Sequence, residues 1–109
     1  MLKMLATALR KAWTEETYSQ EFQARESMHK NFDHALKHVD KARSKLHMMC
    51  EEADHFDRPM TCFPREEAEK YLADLIISAV RAAETFPLGG VDLEKAVLLR
   101  LKAKMGIDL

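Results

Sequence analysis

Apolar positions recur every three or four residues through most of this 109-residue chain, the spacing of helices that bury one face. Leu2, Leu5, Ala6, Leu9 and Trp13 keep that spacing, and Tyr18 and Phe22 continue it less regularly. Residues 2 to about 24 therefore read as one helix or two short ones, with Thr14 as the candidate cap of a second segment. From 27 to about 56 the stripe Phe32, Ala35, Leu36, Val39, Ala42, Leu46, Met49, Ala53 and Phe56 predicts one long helix, with Ser27 as its cap. A loop with two prolines follows, and Pro64 suits the first turn of a third helix, where Glu66, Glu67 and Glu69 complement the positive end of the dipole. That helix runs from about 64 to 86 through Tyr71, Leu72, Leu75, Ile76, Ala79, Val80, Ala83 and Phe86. Pro87, Gly89 and Gly90 stop it. Asp92 then caps a last helix, carrying Leu93, Ala96, Val97, Leu99 and Leu101 and ended by Gly106. With no strand pattern and no repeat, the fold class is all-α, a single domain over residues 1–109 arranged as a four-helix bundle.

Composition narrows the function classes. Lys+Arg 17 against Asp+Glu 18 gives a net charge of −1, so nothing calls for a nucleic-acid partner. The apolar start, residues 1–9, is broken by Lys3 and ended by Arg10 and Lys11, so it reads as an amphipathic helix rather than a leader. No run reaches membrane-spanning length. Cys50 and Cys62 form no disulfide framework and read as free thiols of a cytoplasmic protein. Seven methionines, with Met48 and Met49 adjacent, read as core filler or as a helix–helix interface, and apolar stripes this wide on a small bundle suggest a homodimer.

Candidate chemistry centres on Asp74, a carboxylate inside the most apolar run of the chain. Burying it ionised costs several kcal/mol unless a cation, a metal or good donors meet it. It therefore reaches solvent along a polar stripe or has a partner. Glu67, Lys70, Tyr71, Asp74, Ser78 and Arg81 share one stripe of the third helix, and His34, His38, Lys41, Lys45, Glu52 and His55 lie on the polar side of the second. If these helices are antiparallel neighbours, 52 lies near 67 and Asp74 faces Lys41 and Lys45. Two outcomes follow: carboxylates of both helices gather a hard cation such as Mg²⁺, or Asp74 simply pairs with Lys45 or Arg81. His34 and His38 are four apart and make half of a metal site; Ala35 after the first histidine excludes zinc-peptidase chemistry. Cys50, His55 and Cys62 are a weaker zinc set, with no matching module spacing.

The stretches 34–46, 71–77, 81–84 and 90–97 together resemble MazG-type all-α nucleoside triphosphate pyrophosphohydrolases over about residues 30–105, in helix order and in the Gly90-Val91-Asp92-Leu93 turn. The resemblance implies a dimeric or tetrameric four-helix fold that cleaves a nucleoside triphosphate to monophosphate and pyrophosphate with carboxylate-held Mg²⁺. In that family's acidic pattern Asp74 matches the final aspartate, while Tyr71, Ala42 and Lys45 stand where the other three acids are expected. As an enzyme the chain would use Asp74 and Glu67 as catalytic residues, with Glu52 as a further metal ligand. His38, Lys41, Lys45 and Tyr71 would hold the nucleotide. The alternative is a catalytically inactive relative, binding a nucleotide or another anion through the same cations or serving as a dimeric interaction module.

Overall fold

The computed structural model describes residues 1–15, 28–55, 64–86 and 89–109. These form helices α1 (Leu2–Glu15), α2 (Met28–His55), α3 (Arg65–Thr85) and α4 (Leu93–Met105), with no strand among the described residues. The predicted segments at 27–56, 64–86 and 92–105 agree to within about two residues at each end. The expectations that concern Tyr18, Phe22, Ser27, Phe56 and Cys62 lie outside the described residues. α1 runs through Thr14, so that residue does not open a second helix.

The helix ends follow their local chemistry. Asp92 caps α4, its side chain accepting from the Lys95 amide at 3.1 Å, and this satisfies one of the donors that every helix start leaves open. Gly106 closes the same helix in the left-handed conformation, φ 66°, its N–H donating to the last-turn carbonyls. Pro64 is the residue before the first turn of α3, where its missing N–H costs nothing, and Glu66 and Glu67 occupy that turn as expected. Between α3 and α4 the Val91 amide reaches back to the Ala83 carbonyl at 2.9 Å, and Gly90 takes φ 77°. A Cβ at Gly90 would stand 2.9 Å from that carbonyl oxygen, so this sharp reversal needs glycine.

α2 and α3 form an antiparallel pair: Phe32 near the start of α2 meets Phe86 at the end of α3, ring edge to face with centroids 5.4 Å apart. The seam is built of small residues. Ala35, Ala42, Met49 and Ala53 on α2, with Ser78 and Ala82 on α3, are buried along it, while Val80 and Ala83 lie on the other side of α3, beside Leu2 and Ala6 of α1. Small side chains let the two backbones approach closely. The larger residues of the predicted stripes are pushed aside: spacing puts Leu36, Leu72 and Ile76 in the core, yet all three are exposed, Leu72 and Ile76 by about half. α1 lies against α3, fixed by an Arg10–Glu84 ion pair at 2.7 Å whose carboxylate is largely covered. α4 meets α1 through Glu94, which pairs with the Met1 amino group at 3.3 Å and Lys3 at 3.7 Å. Nothing of α4 is buried. The all-α expectation holds, whereas the described helices are a tight pair with two appended helices and not a closed four-helix layer.

Candidate functional site: a basic cleft between α2 and α3

One face of the α2–α3 pair opens into a cleft of about 270 Å³ lined by His38, Lys41 and Lys45 from α2 and by Tyr71, Asp74 and Arg81 from α3. Ala42, Ile77 and Ser78 complete its lining. The spacing explains the gathering. His38, Lys41, Ala42 and Lys45 step by three or four along α2, and Tyr71, Asp74, Ser78 and Arg81 do the same on α3. The antiparallel pairing then sets 45 across from 74 and 38 across from 81, as the Phe32–Phe86 contact requires. Alanine at 42 leaves room for the longer side chains to stand around it.

Its electrostatics are those of an anion site. Lys41, Lys45 and Arg81 place three fixed cations around Asp74, the one carboxylate among the described lining residues. Asp74 is exposed and forms no direct ion pair with a described residue, so the expected pairing with Lys45 or Arg81 does not occur. Asp74 avoids the cost of burial because its side of α3 opens on the cleft, while Leu72 and Ile76 occupy the opposite face of the helix. His38 is tied to His34 by a 3.2 Å contact between their Nε2 atoms, with the rings edge to face. His34 is held below its ordinary pKa, first by burial, then by the neighbouring His38, Arg81 and Lys37, with Asp33 opposing. A neutral His34 completes the hydrogen bond with His38, as donor or acceptor.

The predicted residues divide between two places. His38, Lys41, Lys45, Tyr71 and Asp74 share the cleft; Glu67 and Glu52 do not line it. Glu52 belongs with Glu51, Asp54 and His55 around a shallow depression at the end of α2. Glu51 there lies 2.9 Å from the His47 ring nitrogen. Among the described residues no three His, Cys, Asp or Glu side chains lie together in a way that could hold a metal ion. This covers the His34–His38 pair and the carboxylate trio Asp74, Glu67 and Glu52. A hard divalent ion requires several oxygens around it, and a cleft whose described lining sets one carboxylate among three cations does not fit Mg²⁺. Sequence spacing makes Arg81 a partner for Asp74; the structure makes it a third cation of the cleft. The signal for that role is present in the sequence, since Arg81 is seven residues, two turns, beyond Asp74 on the same face.

Compared with known protein families, curated proteins and solved structures, the chain matches none. No described helix is long and apolar enough to cross a membrane.

Proposed function

We propose that this chain is a MazG-like helical module that binds the phosphate end of a nucleotide, or of a similar phosphate-bearing small molecule, in the α2–α3 cleft. The observation that carries the reading is the cleft itself, with Lys41, Lys45 and Arg81 around one exposed carboxylate. Lysine ammonium groups supply point charges to phosphate, and Arg81 adds a planar fork that matches two phosphate oxygens. His38 offers a ring nitrogen at the same wall, and Tyr71 an aromatic edge and a hydroxyl. At about 270 Å³ the cleft has room for phosphate and part of a sugar, not for a whole nucleoside triphosphate, so the base would lie outside it. The resemblance over residues 30–105 supports a nucleotide in particular, and the biological unit is a homodimer.

The pyrophosphohydrolase reading puts the scissile phosphates in the same cleft and needs Mg²⁺ held by Asp74, Glu67 and Glu52. The donor set favours binding without hydrolysis. One pair of measurements separates the two: pyrophosphate release from a panel of nucleoside triphosphates with Mg²⁺ or Mn²⁺, and nucleotide affinity of the same protein in a metal chelator. Asp74→Asn is the decisive variant because the readings give it opposite signs. In a binding module it removes the negative charge that faces the ligand and tightens binding in chelator. In a hydrolase it abolishes release.

A further inference from the structure

α4 is the least covered of the described helices. None of its residues is buried, and Val97, Leu98, Leu99 and Met105 all stand open. Leu93, Val97, Leu101 and Met105 repeat every four residues along one side and line an apolar groove of about 250 Å³, with Arg100 and Lys104 among them. A helix that is apolar on most sides belongs inside something larger. A second uncovered stripe lies on α3, where Leu72 and Ile76 sit one turn apart and half exposed.

Charge selects which stripe meets which. α4 carries Lys95, Arg100, Lys102 and Lys104 against Glu94 alone, while the first half of α3 carries Glu66, Glu67, Glu69 and Asp74 against Arg65 and Lys70, with Glu69 lying 3.4 Å from Arg65 within the chain. Two copies of α4 would repel each other; α4 and the first half of α3 attract.

We infer that α4 of one copy packs antiparallel on the Leu72–Ile76 stripe of a second copy, each giving its α4 to the other about a twofold axis. The four-residue spacing of both stripes sets Val97 over Ile76, Leu101 over Leu72 and Lys104 beside Glu69 across the interface. The face that the described helices leave open within one chain is covered by the other. The inference deepens the homodimer named above by giving its surface, and it uses no residue that lines the cleft.

The test is the mass of the full chain in solution, measured by light scattering on a sizing column without nucleotide, so that a failure of nucleotide binding leaves it untouched. The expected result is a dimer, with Leu101→Asp and Ile76→Asp each giving a folded monomer by circular dichroism. The charge exchange keeps the test sharp should an apolar-to-charged variant unfold. Lys104→Glu and Glu69→Lys, both on exposed side chains, should each raise the dimer dissociation constant about tenfold, and the double variant should recover it. A monomeric wild-type chain overturns the inference. So does a dimer broken by Leu101→Asp but indifferent to Ile76→Asp, which is the pattern of α4 pairing with itself, and so does a pair of charge variants without mutual recovery.

Discussion

The α2–α3 pair and α4 are both rich in apolar residues, yet the pair forms the described core and α4 buries nothing. In the pair, small residues recur where the helices touch, so the backbones come close and even Ser78 is buried. In α4 the apolar residues are large and spread around the helix, and the described residues offer no seam that receives them. Apolar content alone does not decide burial. What decides is whether a facing surface matches in shape, and the alanines of α2 and α3 match each other.

The largest expected effect comes from putting a charge into that seam. Ala35 is completely covered, and Ala35→Asp would bury an unpaired carboxylate at a cost of about 4 kcal/mol, enough to unfold a marginally stable domain. The contrasting change is Leu99→Asp on α4, at a position 59% exposed and off the stripe that runs through Val97 and Leu101, where the cost should stay within about 0.5 kcal/mol. Urea unfolding of the two variants breaks the comparison if α4 proves as sensitive as the seam.

Gly90→Ala comes next, because the turn that it alters joins the two regions. The residue holds φ 77°, and a Cβ would press on the Ala83 carbonyl oxygen at 2.9 Å and on that of Glu84 at 3.2 Å, backbone atoms that cannot swing away. A loss of about 2 kcal/mol is expected. Gly89→Ala has an unfavourable φ of 102° but open space around it, so its loss should be the smaller of the two. Equal losses at both positions would mean that the close approach to Ala83 contributes nothing.

How much of the chain is legible in its sequence follows the same division. Helix limits are legible because their signals are local: Asp92 before α4, Gly106 after it and Pro64 ahead of α3 act within one turn. The cleft is legible in part, since three- and four-residue spacing on two antiparallel helices brings Lys41, Lys45 and Asp74 together without further information. Burial is not. The pattern treats Leu72 and Ile76 as better core residues than Ser78 or Ala82, and the opposite holds, because closeness of backbone approach is a property of two surfaces and not of one residue. Nor does spacing reveal that Glu52 and Glu67 stand apart from the Asp74 cleft: side chains near one end of a helix pair can still point away from each other.

Within the cleft, Lys45→Ala and Asp74→Asn should shift phosphate affinity in opposite directions, each by about fivefold, the size expected of one exposed charge beside an anion. Titration with inorganic phosphate and with a nucleoside triphosphate in chelator measures both. The two shifts should shrink together as salt is raised, since screening acts on attraction and repulsion alike. A Lys45 effect without the opposite Asp74 effect would put the anion on α2 alone and detach α3 from the site.

The smallest effect expected concerns His34, one turn ahead of His38 at the edge of the cleft. Burial and the positive groups nearby hold its pKa in the folded protein below the ordinary value of about 6.5. Between those two values the unfolded chain binds more protons than the folded one, so stability rises with pH there. The contribution is complete above about pH 6.5 and is lost as pH falls from that value through the folded one. Protonation of His34 also sets an imidazolium beside Arg81 and Lys37, whose charges already disfavour it. The melting temperature should therefore fall on going below pH 6.5, and His34→Gln should flatten that fall while changing little at pH 8. An unchanged slope in the variant would leave His34 as a packing residue only.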